Sequence, residues 1–128
     1  MQTFLDVKLN KDITKALNEL GFIKPTPIQS KTIPLLMESD QDFIGSAQTG
    51  TGKTAAFGIP SIHLTDFSDK KTQTLILCPT RELCMQITSD LKKYAKYVNK
   101  IGIVPVYGGT RIETQIRALN RGAQIVIG

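Results

Sequence analysis

The residues best suited to chemistry lie between positions 47 and 54, which read AQTGTGKT. They follow a short apolar run over 42–46 and open a stretch of helical periodicity over 53–65, the strand–loop–helix context of a phosphate-binding loop. Glycines there let successive backbone N–H groups surround phosphate oxygens, and the helix N-terminus adds partial positive charge. The predicted nucleotide-binding residues of this loop are Ala47, Gln48, Thr49, Gly50, Thr51, Gly52, Lys53 and Thr54.

Two residues of the loop carry its predicted catalytic chemistry. Lys53 is placed to reach the β- and γ-phosphates of a triphosphate, and the Thr54 hydroxyl is placed to ligate Mg²⁺. The first loop position is Ala47, where the strict pattern has glycine. The alternative interpretation is a Gly/Thr-rich turn with a solvated lysine, but the flanking strand and helix favour the phosphate loop.

A second informative stretch is GFIKPTPIQ at 21–29. The amide of Gln29 can donate to and accept from the N7/N6 edge of adenine, and Phe22 is an aromatic ring that can stack on the base. The spacing of Thr26 and Gln29 also fits a capping box, in which the glutamine accepts from the backbone N–H of the helix cap. On spacing alone we favour the helix cap over adenine recognition.

The periodicity along the rest of the chain predicts an α/β fold. One helix is expected over 11–20, capped by Asn10 and ended by Gly21. A second helix is expected from Thr26, with Pro27 at its first position. Beyond them, short apolar runs alternate with helical segments; the runs cover 42–46, 74–78, 101–107 and 124–127, and the segments cover 53–65, 82–98 and 111–120. This alternation implies βαβ units and a parallel sheet flanked by helices.

Proline and cysteine positions add two expectations. Pro105 lacks a backbone donor, so its strand is expected to lie at a sheet edge or to be interrupted there. Cys78 and Cys84, with the single His63, do not make a metal-ligand spacing. Both cysteines occupy apolar positions, so we expect buried, inert thiols.

Length and charge narrow the class of protein. The chain has 128 residues, 41% of them hydrophobic and 21% charged, which is typical of one globular domain. No apolar run approaches the ~18 residues of a membrane span, and the first residues lack the apolar core of a signal peptide, so we expect no membrane partner and a cytoplasmic protein. Residues 1–64 carry six Lys/Arg and six Asp/Glu, whereas residues 65–128 carry ten and five. This basic second half favours a polyanionic partner.

The carboxyl ends of parallel strands meet at one edge of a sheet, where ligands bind. Three loops are expected to leave that edge and enter helix N-termini: the phosphate loop, residues 78–81 and residues 108–111. The last two each end in an arginine and suit a chain of phosphates. The alternative is that Thr80 and Thr110 are ordinary helix caps and that the two arginines are solvated.

The ordered segments GFIKPTPIQ, AQTGTGKTAAF, PTRELCMQI and the GG at 108–109 resemble the successive motifs of DEAD-box ATP-dependent RNA helicases of bacterial type. Phe4, seventeen residues before Gly21, is similar to the isolated aromatic residue that this family carries upstream. The resemblance covers essentially the whole chain, and alanine at position 47 is the usual form of the family.

The resemblance implies a partial RecA-like parallel sheet, with a helical segment over 1–40 that carries the Q motif and the first βαβ units over 41–128. It implies ATP and Mg²⁺ as cofactors, and it makes adenine recognition by Gln29 the favoured interpretation. The further nucleotide-binding residues that it implies are Phe4, Phe22, Lys24, Thr26 and Gln29. The residues implied to contact the RNA sugar–phosphate backbone, with little sequence preference, are Pro79, Thr80, Arg81, Gly108, Gly109, Thr110 and Arg111.

These 128 residues do not include the D-E-A-D segment or the second domain that the family uses for hydrolysis. We therefore expect the chain alone to hydrolyse ATP negligibly, to unwind nothing and to self-associate through unpaired sheet edges. The open alternatives are a non-catalytic nucleotide- and RNA-binding fragment and part of another nucleic-acid-dependent ATPase such as a DNA helicase. A GTPase is disfavoured because Asn99-Lys100 is followed by Ile-Gly rather than by the x-Asp of the guanine-reading motif.

Overall fold

Five helices and three strands make up the computed structural model, which describes residues 2–128. In chain order they are α1 (Lys11–Glu19), α2 (Pro27–Glu38), α3 (Lys53–His63), β1 (Thr74–Ile76), α4 (Arg81–Tyr94), β2 (Ile103–Pro105), α5 (Ile112–Asn120) and β3 (Ile125–Ile127). From α3 onward helices and strands alternate, as the periodicity predicts. The two N-terminal helices precede this α/β part.

The three strands form one parallel sheet in the order β1-β3-β2. The central strand aligns Ile125 with Thr74 on one side and with Ile103 on the other. Because both neighbours are parallel to it, β3 is enclosed, and its residues Ile125 and Ile127 are fully buried. The predicted α/β class with a parallel sheet flanked by helices is confirmed. Pro105 ends the edge strand β2, which also confirms the expectation drawn from its missing N–H.

The strand expected over 42–46 does not form, so that prediction is wrong. These five residues are exposed, Ile44 to 97% of its surface, and no strand within residues 2–128 is hydrogen-bonded to them. A strand exists only through pairing, and an apolar run by itself does not supply a partner. The segment over 47–54 is thus preceded by irregular backbone, although α3 begins at Lys53 as expected.

The helix ends in the first half follow the predicted signals. The Asn10 side chain accepts from the Asp12 N–H at 2.8 Å at the start of α1, and Gly21 takes a left-handed φ of 75° just beyond its end. Thr26 is the cap of α2, and Pro27 is its first residue. These positions confirm the sequence predictions of both helix starts.

The two later caps differ from each other. Thr80 caps α4 as expected, since its hydroxyl accepts from the Leu83 N–H at 3.2 Å. Thr110 does not cap α5, whose cap position is held by Arg111. The Thr110 hydroxyl instead donates to the Tyr107 carbonyl at 3.3 Å, because the loop turns back before the helix begins. The interpretation of Thr110 as a helix cap is therefore wrong.

The core lies between the helices and one face of the sheet. Gly58 of α3 lies so close to α4 that an added Cβ would be 2.7 Å from Leu91 Cδ1, so glycine sets the spacing of these helices. Cys84 is buried, as expected, and this burial raises the pKa of its thiol. Cys78 is only half-buried, so the prediction of a buried thiol is wrong at that position.

Candidate functional site

The loop over 47–54 meets the N-terminus of α3, and its conformation depends on two glycines. Gly50 and Gly52 adopt left-handed φ angles of 79° and 84°, which side chains other than glycine rarely tolerate. The backbone N–H groups of residues 47–55 donate no hydrogen bond within residues 2–128. A run of free N–H groups at a helix N-terminus is an anion-binding arrangement.

Lys53 and Thr54, the two residues with predicted catalytic chemistry, stand at the first turn of α3. The exposed Lys53 amine donates to the Ala47 carbonyl oxygen, so the side chain folds back across the loop. Thr54 is half-buried and lines a cavity of about 510 Å³ bounded by α2, α3 and α4. The Lys53 ammonium thus lies beside the free backbone N–H groups, where it adds positive charge.

Gln29 is the residue that ties α2 to this loop. It is only 4% exposed. Its Oε1 accepts from the Thr26 N–H at 2.9 Å, which confirms the helix-cap interpretation. Its Nε2 donates to the Gly52 carbonyl at 3.1 Å, a contact that sequence reasoning missed. The one sign of this contact in the sequence is the glycine at position 52. In the structure a Cβ there would lie 2.2 Å from Gln29 Nε2, so a larger residue would not fit.

Phe22, the aromatic residue of the 21–29 stretch, lies in a cluster of three aromatic rings. Phe22 stacks on Phe4 with ring centroids 6.0 Å apart and meets Tyr94 at 5.7 Å. Phe4 is buried, whereas Phe22 is half-buried and Lys24 is exposed. Burial, with a smaller contribution from Asp90, raises the pKa of Tyr94 to about 12. Phe4 therefore contacts Phe22 rather than solvent.

Two further loops lie together at the carboxyl end of the sheet. The Arg81 guanidinium lies across Gly109, where an added Cβ would be 2.9 Å from Nη1 and where φ is 87°. The structure thus brings residues 79–81 and 108–111 side by side, as the sequence predicts for loops at one sheet edge. Gln115 holds the second loop, since its Nε2 donates to the Tyr107 carbonyl at 2.9 Å and to the Thr110 hydroxyl. Sequence analysis did not anticipate that role of Gln115.

The arginines of these loops carry unneutralised charge. Within residues 2–128 the ion pairs are Lys93 with Asp90 and Lys96 with Glu19. Arg81 and Arg111 are both exposed and lack a carboxylate partner among these residues. An exposed cationic rim at a sheet edge is suited to phosphate groups.

Residues 2–128 hold neither a metal-binding cluster nor a membrane-spanning helix. Among residues 2–128 no cluster of three or more His, Cys, Asp or Glu side chains is placed to hold a metal ion. Over the same residues no helix has the length and apolar character that crossing a membrane requires.

The parallel α/β fold and the glycine-rich loop at α3 define the class of phosphate-loop domains. Residues 26–128 match the family model of the DEAD/DEAH box helicases. The chain belongs to this family, as its motifs predict. It is 48% identical over 126 residues to the ATP-dependent RNA helicase DeaD of Buchnera aphidicola. This match covers 98% of this chain and 21% of that relative. It is also 48% identical over 128 residues to the ATP-dependent RNA helicase CshA of Listeria monocytogenes, all of this chain and 24% of that relative.

Solved structures show the same fold. A DEAD box protein from Methanococcus jannaschii superposes with a TM-score of 0.93 at 38% identity, over 100% of this chain and 34% of that one. The RNA helicase Prp28 from Chaetomium thermophilum, solved bound to ADP, superposes with a TM-score of 0.85 at 36% identity. That match covers 99% of this chain and 32% of Prp28. The chain therefore spans about a fifth to a third of the proteins that it resembles.

Proposed function

We propose that this chain is the ATP- and RNA-binding front part of an ATP-dependent RNA helicase. The observation that carries the proposal is the run of unbonded backbone N–H groups over 47–55, with the Lys53 ammonium beside it. These groups suit the β- and γ-phosphates of a nucleoside triphosphate. The two relatives that are 48% identical to this chain are named ATP-dependent RNA helicases.

Adenine recognition by Gln29 is compatible with its role as a helix cap. A glutamine amide has two acceptor lone pairs and two N–H donors. The bonds to Thr26 and Gly52 use one of each. One lone pair and one N–H therefore remain, which is the pair that the N6/N7 edge of adenine needs. We propose that the half-buried Phe22 stacks on this base and that the buried Phe4 positions Phe22.

The residues present fit Mg²⁺ held mainly by the nucleotide. Mg²⁺ keeps several waters and takes few protein ligands when it binds with phosphates. Thr54 supplies one hydroxyl at the first turn of α3, next to Lys53. When bound, the ion would be held on the protein side by the Thr54 hydroxyl and would supply positive charge that neutralises the phosphates. The chain's own contribution is the Thr54 hydroxyl, in the first turn of the helix that the loop leads into.

The second proposed ligand is the sugar–phosphate backbone of RNA at the rim made by residues 79–81 and 108–111. Arg81 and Arg111 provide exposed positive charge, and Gly109 lets the two loops approach. Contacts to phosphates carry no base information, so we expect little sequence preference and a strong dependence on salt. Residues Pro79, Thr80, Gly108 and Thr110 shape this rim.

Hydrolysis is not expected from these 128 residues. They contain no D-E-A-D sequence, and therefore lack the acids that this family places near Mg²⁺ and the attacking water. Phosphoryl transfer depends on such positioned charges. We propose that ATP binds to this chain without significant turnover.

Titration calorimetry with Mg²⁺-ATP tests the nucleotide site. Lys53→Ala should lower ATP affinity by at least about 100-fold, because the phosphate charge loses its nearest cation. Lys31→Ala, an exposed lysine on α2, is the matched control and should bind as the parent chain does. Unchanged binding by Lys53→Ala would refute the phosphate-loop assignment.

A further inference from the structure

A groove runs along the free edge of β2, between α4 and α5. Two adjoining cavities of about 300 and 440 Å³ form it, and both are lined by Lys92, Ile103, Val104 and Ala118. The smaller one begins at Tyr107 and Thr110, beside the RNA-binding rim proposed above. The larger one ends at Arg121 and Gly122. We call this continuous surface the edge groove; it leads from the rim down the whole length of β2.

The edge groove is positively charged. Lys92, Lys96 and Arg121 line it, and all three are exposed. Lys96 is neutralised by Glu19 at 2.6 Å, but Lys92 and Arg121 have no carboxylate within 4 Å among residues 2–128. From residue 91 onward the sequence has seven Lys/Arg and one acid. A polyanion is the ligand that such a surface attracts.

The backbone of β2 argues against a peptide added as a strand. Bonds to β3 run through the Gly102 carbonyl and the Val106 N–H, so the alternation of the ladder turns Ile103 and Pro105 toward the free edge. Pro105 has no N–H to offer an added strand. The occupant must therefore use charge and apolar contact rather than main-chain pairing.

We propose that the edge groove binds single-stranded RNA that continues past the rim at residues 108–111. Lys92 and Arg121 neutralise its phosphates, and the half-buried Tyr107 and Ala118 offer apolar surface to its riboses and bases. Positive charge beside an aromatic ring is the combination that single-strand binding grooves use. This inference rests on the proposed RNA function of the rim, because the groove begins where the rim ends. The rim and the edge groove therefore bind two adjoining segments of the same RNA strand.

The test compares a short oligouridylate of about 5 nucleotides with a long one of about 12, lengths that bracket common single-strand sites. Fluorescence anisotropy gives the dissociation constant of each for this chain at several salt concentrations. The double variant Lys92→Ala/Arg121→Ala should raise the dissociation constant of the long RNA about tenfold at low salt and leave the short RNA unchanged. Its salt slope should fall by about 1.4, or ~0.7 per lost phosphate contact.

The control Lys11→Ala/Lys93→Ala removes the same charge outside the groove, from α1 and from the Asp90 pair on α4. If the groove variant behaves like this control, or weakens both RNAs equally, the proposal is overturned. It is also overturned if RNA binding is unaffected while binding of poly-glutamate is lost, since the groove would then take acidic peptides. The rim is tested separately with the double variant Arg81→Ala/Arg111→Ala. If this variant binds the short RNA as well as the parent chain does, the proposed RNA function of the rim is wrong.

Discussion

Gln29 and Gly52 lie 23 residues apart in sequence and are joined by a hydrogen bond of 3.1 Å from the side-chain amide to the backbone carbonyl. The same amide accepts from the Thr26 N–H, so one buried side chain connects the start of α2 to the residue that precedes α3. Element packing agrees, because α2 and α3 lie against each other. A shift of the loop backbone at Gly52 would therefore move a hydrogen-bond partner of Gln29.

Gln29→Ala removes both bonds of this side chain. We expect a loss of about 1 kcal/mol in the free energy of unfolding, the usual cost of a lost cap, and a loss of ATP-over-GTP preference. Gln29→Glu keeps the acceptor for Thr26 but puts a buried carboxylate oxygen against the Gly52 carbonyl, so it should lose at least as much stability as Gln29→Ala and should also lose the preference. Urea unfolding and competition binding with the two nucleotides measure these effects. An unchanged preference in both variants would leave Gln29 as a helix cap only.

Gly52 and Gly50 offer a matched pair for the role of loop shape. Both have left-handed φ angles, so alanine at either strains the backbone by ~1–2 kcal/mol. Only at Gly52 does the new Cβ collide with Gln29; around Gly50 there is open space within 4 Å. Gly52→Ala should therefore destabilise the chain more than Gly50→Ala does. Thermal unfolding of the two variants checks the difference, and equal melting temperatures would show that the Gln29 contact does not restrain the loop.

Local signals in the sequence were sufficient for much of the fold. Asn10, Pro27 and Thr80 mark helix starts, and Pro105 places β2 at a sheet edge. Each of these effects acts through the backbone of a few adjacent residues, so a single sequence shows it. The site motifs were readable for the same reason, because the 47–54 loop is contiguous.

Contacts between distant segments could not be read from spacing. The Gln29–Gly52 bond and the packing of Arg81 on Gly109 depend on how separate elements dock. The strand predicted over 42–46 is absent for a related reason. An apolar run favours a strand, but a strand forms only where a second strand pairs with it. Thr110 does not cap a helix because its hydroxyl donates to the Tyr107 carbonyl and accepts from Gln115 Nε2.

His63 predicts a pH dependence of stability. Its Nδ1 accepts from the Asn10 N–H at 3.1 Å, and burial lowers its pKa below the usual 6.5. Because the folded pKa is lower than the unfolded one, the unfolded chain binds the proton more tightly. Stability should be full above pH 6.5 and should fall as the pH drops through and below that value. His63→Asn, which keeps an acceptor but does not titrate, should flatten this region in urea unfolding; a persistent slope would assign it to other groups.

The free edge of β1 exposes apolar side chains. Hydrogen bonds to β3 run through Thr74, Ile76 and Cys78, so Leu75 and Leu77 turn their backbone groups toward the open edge. Both leucine side chains are exposed, Leu77 to 77% of its surface. An apolar, unpaired edge is a template for pairing with another chain.

We therefore expect the 128-residue chain to self-associate reversibly as its concentration rises, with β1 as the contact. Leu77→Lys places a charge on this edge and should shift the association to at least about tenfold higher concentration, with little effect on stability because the site is exposed. Ile23→Lys is the matched control, since Ile23 is 75% exposed but lies in a loop. Sedimentation velocity over a concentration series measures both. A parent chain that stays monomeric throughout, or two variants that behave alike, would show that the β1 edge does not mediate association.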